Sequence, residues 1–321
     1  MRNGSMKIIV TESEDFSEVA IEKLSSLGAL ALLNVTERKE LLEQTKKANV
    51  LFVRLRFYID RAFIDNAPHL NYILTATTGL DHIDVPYFEA RGGTIISLKG
   101  EFEFLRSIPS TAEHTWGLLL ALMRNTSKAF EDVKNGYWRR DLFKGNNLKG
   151  KKLGILGMGR VGSQVAKYGI VFDMQVGYYD VVKKEDKSYK SFTTAKQLFE
   201  WADVISIHIP LNKENIQFIN SELLNQLSKE SVLINTSRGA VVDELYICEL
   251  LVTKRLKGYA TDVIESEMQT KDCLTNVPLI ALAKEDYNVL ITPHIAGATY
   301  ESMEMTEEFI TGKFIKQLHE K

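Results

Sequence analysis

Cysteine is nearly absent from the sequence: only Cys248 and Cys273 occur among its 321 residues. A small disulfide-stabilised scaffold needs several cysteine pairs, and these two cysteines show no zinc-ligand spacing. We therefore expect reduced thiols in a cytoplasmic protein that binds no metal. Proline is scarce too, with six residues, and we find no proline-rich linker, internal repeat or low-complexity tract.

Long apolar runs and a strong net charge are also missing. A helix that spans a membrane requires about 20 apolar residues, whereas WGLLLALM, residues 116–123, is among the longest apolar runs. The first residues, MRNGSMK, lack the apolar segment of a secretory signal. A formal net charge of −2 provides no electrostatic attraction to nucleic acid or to an anionic membrane. We therefore expect neither of them as a partner.

The composition, 45% hydrophobic and 26% charged, is typical of a globular protein, and the length suits two domains. Short apolar runs alternate with amphipathic stretches of helix length. The runs that predict strands are MKIIV, NVLFV, NYILT, GTIIS, KLGILG, QVGYYD, DVISIH, SVLINT, GYATDV and NVLITP. Strands that are apolar on both faces are parallel and covered by helices on both sides, so the pattern predicts a doubly wound α/β fold.

The stretch PSTAEHTWGLLLALMRN, residues 109–125, lies between the two sets of predicted strands. Ser110, followed by Glu113 three residues later, is typical of a capping box at the start of a helix. The apolar run that follows predicts a long buried helix, which we expect to connect the two domains.

A glycine-rich motif, G-x-G-x-x-G, is formed by Gly157, Gly159 and Gly162. A predicted strand precedes it, and a predicted helix with apolar residues on one face follows. In this context Gly157 forms a tight turn, Gly159 lets the backbone approach a pyrophosphate, and Gly162 allows close packing of helix and strand. The unpaired N–H groups at the helix start attract phosphates. The motif therefore predicts a dinucleotide site.

The next predicted strand ends in Asp180, about 20 residues beyond the glycines, where an acid binds the ribose 2′-hydroxyl. A carboxylate there repels a 2′-phosphate, which favours NAD over NADP. Lys183 and Lys184 follow closely and leave NADP open. The alternative without a cofactor is a tight turn with a surface aspartate.

Polar residues fall at the carboxyl ends of the predicted strands, where ligands bind in parallel sheets. The positions are Gly157, Asp180, His208 with Ile209 and Pro210, Arg238, Asp262 and His294. Because the carboxyl ends of parallel strands share one edge of the sheet, we expect these residues to line one cleft.

Arg238 follows the apolar run VLIN and a small polar pair. One interpretation is an internal ion pair with Asp243 or Glu244. The other is a rigid, bidentate donor for the carboxylate of a substrate.

His294 lies at a predicted strand end and precedes the turn IAGAT. Imidazole titrates near neutrality, so His294 is a candidate proton carrier. Glu267 is a candidate partner that would orient the imidazole. The other histidines considered, His69, His82, His114 and His319, receive the default interpretation of structural or exposed side chains.

The segments GMGRVG, NTSRGAVVDE, TDVIESE and TPHIAGAT, together with Asp180, resemble the D-isomer-specific 2-hydroxyacid dehydrogenases in order and spacing. The resemblance implies an NAD-dependent oxidoreductase that transfers a hydride between nicotinamide and a small-molecule 2-oxo or D-2-hydroxy acid. It also implies a flavodoxin-like substrate-binding domain (residues 1–100 and 296–321), a Rossmann NAD-binding domain (residues 101–295) and a cleft between them. A homodimer built through residues 113–141 is implied as well.

By the same resemblance, Arg238 binds and polarises the 2-oxo acid, His294 is the acid/base and Glu267 is its partner. Asp262 resembles the residue that contacts the nicotinamide carboxamide. Cofactor contacts are implied at Thr78, Gly157, Gly159, Arg160, Val161, Gly162, Asp180, His208, Ile209, Pro210, Thr236, Ser237 and Asp262.

Within the family, the likeness to phosphoglycerate dehydrogenases is greatest, because FVRLRF places Arg54 and Arg56 where that subgroup has anion-binding arginines. Two guanidiniums on one strand face suit a doubly charged substrate; the alternative is a solvated basic strand end. The segment TATTGLDHID resembles the substrate loop of the family. Thr78 and Gly79 match it, whereas Thr77 replaces a customary glycine.

The substrate is the point that these motifs leave open. A phosphoglycerate dehydrogenase, a glyoxylate or hydroxypyruvate reductase and a non-catalytic NADH-sensing protein of the same fold are all compatible with them. The chain ends soon after His294, so we expect no appended regulatory domain.

Overall fold

The computed structural model describes residues 6–182, 188–265, 267 and 274–320. The chain divides into two compact units. Met1–Ser107 together with Ala298–Lys321 form one, which we call the split unit, and Ile108–Gly297 form the other, the central unit. The division expected from the sequence placed the two borders at residues 100/101 and 295/296.

The described part of the split unit contains a five-stranded parallel sheet with the order β2-β1-β3-β4-β5. Its strands are β1 (Met6–Val10), β2 (Gly28–Leu32), β3 (Val50–Val53), β4 (Tyr72–Thr75) and β5 (Thr94–Ile96). Its helices are α1 (Glu18–Ser25), α2 (Arg38–Thr45), α3 (Arg61–Asn66), α4 (Val85–Ala90), α5 (Phe102–Leu105) and the last helix, α13 (Tyr300–His319). The strand order is that of flavodoxin-like sheets, in which ligands bind at the β1/β3 boundary.

Helix α13 packs onto the sheet of the split unit. Thr299 caps its first turn by accepting a hydrogen bond from the backbone N–H of Ser302. Ile310 and Phe314 are fully buried, and Phe314 contacts Tyr72 of β4 edge-on, with 5.2 Å between the ring centroids. Burial of a side chain of this size contributes roughly 1.5–3 kcal/mol, so these contacts hold the end of the chain on the split unit.

The described part of the central unit contains a seven-stranded parallel sheet with the order β12-β11-β10-β9-β6-β7-β8. Its strands are β6 (Lys152–Leu156), β7 (Gln175–Tyr179), β8 (Lys190–Ser191), β9 (Val204–Ile207), β10 (Val232–Asn235), β11 (Gly258–Thr261) and β12 (Val289–Ile291). Its α-helices are α6 (Ser110–Arg124), α7 (Thr126–Lys134), α8 (Arg160–Val171), α9 (Ala195–Trp201), α10 (Ser221–Leu224), α11 (Glu244–Val252) and α12 (Pro278–Lys284). Short 3-10 helices span Arg140–Phe143, Gly239–Val241 and Leu274–Asn276. This is the Rossmann order, which reverses at the β6/β9 boundary.

The prediction of two doubly wound parallel sheets is confirmed. Strands β3, β9, β10 and β11 are buried at every residue, as strands covered on both faces must be. The ten predicted strands are present, but β2 and β8 were missed. Both lie at sheet edges, where a continuous apolar run is not required: GALAL in β2 is partly exposed, and the two residues of β8 are exposed.

The capping-box prediction for α6 was wrong. Pro109 already has helical dihedrals (φ −92°, ψ −17°) and takes the N-cap position, so Ser110 is the first residue inside the helix. The hydroxyl of Ser110 is buried and makes no hydrogen bond. The long buried helix itself is confirmed, since its core side chains, among them Trp116, Leu119 and Leu122, are buried.

Candidate active site

The carboxyl ends of the central unit's strands lie at one edge of its sheet. The strand order reverses between β6 and β9, and ligands bind at such a point in doubly wound sheets. Gly157 directly follows β6, and His208 directly follows β9. The glycine-rich turn therefore lies at the place where this fold binds a dinucleotide.

The backbone of the turn leaves no room for side chains at two of its glycines. Gly157 has a φ of +92°, and a Cβ there would lie 2.7 Å from the carbonyl oxygen of His208. A Cβ at Gly162 would lie 2.1 Å from the carbonyl oxygen of Gly157. Beside Gly159, in contrast, a Cβ would meet nothing within 4 Å, and Gly159 begins α8 without a side-chain cap. Open space beside the first N–H groups of a helix fits a pyrophosphate, and Arg160 and Val161 form that first turn.

Asp180 follows β7, the strand next to β6. Its Oδ1 accepts a hydrogen bond from the backbone N–H of Val182 at 2.7 Å, which orients the carboxylate at the strand end. Lys183 and Lys184, which left NADP open, lie outside the described residues.

His208 carries no charge at neutral pH. The side chain is partly exposed, but the protein around the ring desolvates it. This desolvation, together with the positive charge of Arg160, lowers the pKa of His208 to about 3. Its Nε2 lies 2.8 Å from the hydroxyl of Ser206. His208 is therefore a neutral hydrogen-bonding group beside the glycine turn, followed by Ile209 and Pro210, and is not a proton carrier.

Asn235, which the sequence analysis did not single out, organises the loop after β10. Asn235 is fully buried; its Oδ1 accepts hydrogen bonds from the N–H and the hydroxyl of Ser237, and its Nδ2 donates to the carbonyl oxygen of Arg238. The hydroxyl of Thr236 lies 2.8 Å from that of Thr115 in α6. Asn235 could have been selected from the sequence because it is a polar residue at the end of an apolar strand. In the structure, it holds the loop in one conformation.

The two acids considered as internal partners of Arg238 have other roles. Asp243 caps α11 through its side chain, and Glu244 accepts a hydrogen bond from the backbone N–H of Glu265 at 3.0 Å. The Nη1 of Arg238 donates to the carbonyl oxygen of Ser237 at 2.7 Å. Asp243 and Glu244 therefore each hold a backbone N–H group of their own unit.

Arg238 and His294 leave the sheet from the same edge. Asn235 lies opposite Thr261, and Thr261 lies opposite Ile291, in adjacent parallel strands. Arg238 and His294 each follow three residues beyond these positions. Because one strand separates them, their origins are about 10 Å apart, a span that a small substrate between two long side chains can bridge.

Asp262 holds the segment that carries His294. Its buried carboxylate accepts hydrogen bonds from the hydroxyl of Thr292 at 2.6 Å and from the N–H groups of Ile295 at 2.9 Å and Ala296 at 2.7 Å. Burial alone raises the pKa of Asp262, but these bonds and the contact with His114 outweigh it and lower the pKa. Asp262 is therefore an ionised anchor.

His294 occupies a conformation that is uncommon for a residue with a side chain, with a φ of +55°. Its backbone N–H donates to the carbonyl oxygen of Asp262 at 2.8 Å. Its Nδ1 lies 2.7 Å from Oε1 of Glu267, and both side chains are about one-quarter exposed. The predicted pair of imidazole and carboxylate is thus brought together at the edge of the sheet.

His114 supports the same segment, although no sequence pattern pointed to it. Its Nε2 lies 2.9 Å from the hydroxyl of Thr292 and 3.3 Å from Oδ1 of Asp262. Thr292 is 178 residues away in the chain, so no local spacing points to this contact.

Glu244 is a second residue that the sequence analysis underestimated. Its side chain is buried, and desolvation together with the negative charges of Glu265 and Glu267 raises its pKa to about 7, against the opposing hydrogen bond from the N–H of Glu265. Glu244 therefore fixes the backbone at Glu265, two residues before Glu267, whose carboxylate contacts His294.

In the split unit, both arginines expected to bind a substrate anion are engaged by their own unit. Nε and Nη2 of Arg54 donate to Oε1 of Glu307 at 3.0 and 2.5 Å, and Nη1 donates to the carbonyl oxygen of Glu14 at 2.9 Å. Nη1 of Arg56 donates to Oδ1 of Asn34 at 2.7 Å and to a backbone carbonyl oxygen at 2.9 Å. Both guanidiniums therefore have hydrogen-bond partners within the split unit, and the prediction that they bind a doubly charged substrate stays a prediction.

Thr77, which replaces a customary glycine of the family, closes the loop after β4. The hydroxyl of Thr77 donates to the carbonyl oxygen of Gly79 at 2.8 Å and lies 3.0 Å from the hydroxyl of Thr75. A threonine at this position thus constrains the loop that contains Thr78 and Gly79.

Within the ranges that the structure describes, no helix has the length and apolar character to cross a bilayer. No cluster of histidine, cysteine and acidic side chains suited to a metal ion occurs among the same residues. Cys248 is a free thiol, and Cys273 lies outside the described residues.

The model of the D-isomer specific 2-hydroxyacid dehydrogenase NAD binding domain matches residues 116–296. Glyoxylate reductase from Thermofilum pendens is 35% identical over 289 residues, which cover 88% of this chain and 81% of that protein. The chain belongs to the D-isomer specific 2-hydroxyacid dehydrogenase family. It is therefore an NAD-dependent oxidoreductase, and the predictions of family and coenzyme are confirmed.

Two further relatives show the range of the family. D-3-phosphoglycerate dehydrogenase from Methanocaldococcus jannaschii is 32% identical over 317 residues, which cover 98% of this chain and 57% of that protein. D-lactate dehydrogenase from Aquifex aeolicus, solved with NAD and lactic acid, superposes with a TM-score of 0.81 at 31% identity and covers 98% of this chain and 95% of that one.

Proposed function

We propose that this chain reduces a small 2-oxo acid of the glyoxylate or hydroxypyruvate type to the corresponding 2-hydroxy acid, glycolate or D-glycerate, with NADH. The observation that carries the proposal is the contact of 2.7 Å between Nδ1 of His294 and Oε1 of Glu267, at the sheet edge that also bears Arg238 and the glycine-rich turn. An imidazole oriented by a carboxylate is suited to general acid–base catalysis.

His294 would move the proton of the reaction. Because Nδ1 is turned towards Glu267, Nε2 is the nitrogen that gives a proton to the carbonyl oxygen during reduction and takes one from the hydroxyl during oxidation. Glu267 stabilises the protonated imidazole, and Asp262 holds the His294 backbone at its unusual dihedrals. The ring is therefore oriented before the substrate arrives.

Arg238 would bind the carboxylate of the 2-oxo acid and stabilise the charge that develops on the carbonyl oxygen. Its planar guanidinium matches a carboxylate in a bidentate geometry. The buried Asn235 holds the Arg238 backbone, so little ordering is required at binding.

Bound NADH supplies the hydride that reduces the carbonyl carbon. The central unit would bind it through the glycine-rich turn with Arg160 and Val161, and through the neighbouring loops that contain Ile209, Pro210, Thr236 and Ser237. Asp180 would accept a hydrogen bond from the ribose 2′-hydroxyl and repel a 2′-phosphate, which supports NAD over NADP. Asp262 is proposed to lie near the carboxamide.

The charge of the proposed substrate is supported by an ion pair within the split unit. A phosphorylated substrate needs a positively charged site, but Arg54 is paired with Glu307. The relatives include glyoxylate reductases as well as phosphoglycerate dehydrogenases, so the family alone leaves both open. The ion pair favours a substrate with one negative charge.

We also propose a homodimer that works in the cytoplasm. Helix α7 and the segment after it expose large apolar side chains, and Trp138 is 86% exposed; surfaces of this kind mark protein interfaces. The cytoplasm supplies NADH and keeps thiols such as Cys248 reduced. Sedimentation velocity tests the dimer, and a monomer at micromolar concentration would contradict it.

Steady-state oxidation of NADH with glyoxylate, hydroxypyruvate, pyruvate, 2-oxoglutarate and 3-phosphohydroxypyruvate tests the proposed reaction. We expect turnover of the first two and a strong preference for NADH over NADPH. Tight NADH binding without turnover of any of these acids would instead support the NADH-sensing alternative.

A further inference from the structure

Glu307 is a buried carboxylate of the split unit, with a side chain that is 1% exposed. Its Oε1 accepts two hydrogen bonds from the guanidinium of Arg54, and its Oε2 accepts one from the backbone N–H of Ser17 at 2.9 Å. Both oxygens are therefore satisfied by the protein itself, and helix α13 fixes the position of the carboxylate.

Arg54 has little capacity left for a further anion. Nε and Nη2 contact Glu307, and Nη1 donates to the carbonyl oxygen of Glu14. Its guanidinium carbon also lies 5.7 Å from the centroid of the Phe16 ring, a cation–π distance. An arriving phosphate would have to displace a carboxylate that the fold already holds.

Arg54 nevertheless follows the end of β3, at the edge of the split unit's sheet where this fold binds ligands. Val53 at the end of β3 lies opposite Thr75 at the end of β4. Arg54 and the loop with Thr78 and Gly79 therefore leave the same edge of the sheet on strands about 5 Å apart. In this strand order, ligands bind outside that edge.

We propose that Glu307 is a specificity determinant: it holds the guanidinium of Arg54 and thereby selects 2-oxo acids that carry no second anionic group. The inference rests on the proposed function and deepens it. The buried carboxylate of Glu12 also disfavours a second anionic group. It accepts hydrogen bonds from the backbone N–H groups of Arg54 and Arg56 and adds negative charge at the same strand end.

The test compares hydroxypyruvate with 3-phosphohydroxypyruvate, which differ only by the phosphate, in NADH oxidation assays. We expect the wild-type chain to have the higher kcat/KM for hydroxypyruvate. Glu307→Gln keeps the shape and a hydrogen-bond acceptor but removes the charge, which weakens its hold on the guanidinium of Arg54. Its kcat/KM for 3-phosphohydroxypyruvate should rise ~10–100-fold, the range of one hydrogen bond to a charged group. Adding Arg54→Gln should abolish this gain.

Glu308→Gln is the matched control. It removes a charge from the next residue of α13, and the carboxylate of Glu308 accepts a hydrogen bond from the hydroxyl of Ser17 at 3.1 Å. This variant should keep the wild-type ratio. A soluble Glu307→Gln chain with an unchanged ratio would overturn the inference, and so would a wild-type chain that already prefers 3-phosphohydroxypyruvate. If the wild-type chain turns over none of hydroxypyruvate, glyoxylate and 3-phosphohydroxypyruvate, the proposed function is overturned instead.

Discussion

The buried carboxyl group of Glu244 should make the stability of the protein depend on pH. Its pKa is raised from 4.5 to about 7, chiefly by burial. Below pH 4.5 the group is protonated in the folded and the unfolded chain, and it costs nothing. As the pH rises towards 7, the unfolded carboxyl ionises while the folded one stays protonated, so folding stability is lost across this window.

The size of this effect follows from the difference between the two pKa values. One pKa unit corresponds to about 1.4 kcal/mol, so the full penalty above pH 7 is about 3 kcal/mol. Glu244→Gln keeps an oxygen that accepts from the N–H of Glu265 but cannot ionise. Relative to wild type, this variant should gain about 3 kcal/mol between pH 4.5 and pH 8, which is a gain in Tm of about 6–12 °C for a domain of this size.

Thermal unfolding followed by circular dichroism at half-unit pH steps measures this difference. Glu249→Gln, at an exposed position of the same helix, is the control and should run parallel to wild type. A difference between Glu244→Gln and wild type that stays constant from pH 4.5 to 8 would refute the reasoning, because it would mean that folding does not raise the pKa of Glu244.

Two substitutions at the sheet edge test the chemistry. Asparagine tolerates the φ of +55° at position 294 but carries no titratable proton, so His294→Asn should lower kcat ~10²–10⁴-fold. Its Tm and the quenching of its tryptophan fluorescence by NADH should equal those of the wild type. A fully active variant would show that His294 takes no part in the reaction. Arg238→Lys replaces a bidentate donor with a point charge and should lower kcat/KM for glyoxylate ~10–100-fold, whereas an unchanged value would return Arg238 to a structural role.

The sequence predicted the parts of the site that depend on local pattern. The glycine-rich turn and the polar residues at strand ends could be found because a parallel sheet brings the carboxyl ends of its strands to one edge. The partner of Arg54 could not be found, because Glu307 lies 253 residues away in the chain and only the fold decides that a carboxylate meets a guanidinium there. His114 and Glu244 were underestimated for the same reason, since their importance rests on which segments they hold.

The capping-box error at Ser110 has a different physical cause. The motif specifies which residues can cap a helix, but the helix starts where the backbone first becomes helical, and Pro109 already has such dihedrals. A shift of one residue turns a capping hydroxyl into a buried one without a partner. Side-chain motifs therefore place helix ends less reliably than glycine motifs place turns, because a glycine at positive φ is required by the backbone itself.

Gly239 is a glycine that a close approach of the backbone at residues 264–265 requires. A Cβ at Gly239 would lie 2.0 Å from the carbonyl carbon of Ile264 and 2.2 Å from the backbone nitrogen of Glu265. Both are backbone atoms, so Gly239→Ala must push this segment away by more than 1 Å to restore ordinary contact near 3.4 Å. The shift would break the hydrogen bond from the N–H of Glu265 to Glu244 and displace Glu267.

We therefore expect Gly239→Ala to lose roughly 1–3 kcal/mol of stability and to lose kcat as well, measured by thermal unfolding and by NADH oxidation. Gly117→Ala is the matched control, because a Cβ at this exposed position of α6 meets nothing within 4 Å and alanine stabilises a helix interior by roughly 0.5–1 kcal/mol. If Gly239→Ala loses stability but keeps kcat, the backbone at residues 264–265 does not position the carboxylate that contacts His294. In that case, the orientation of His294 would depend on Asp262 and its hydrogen bonds.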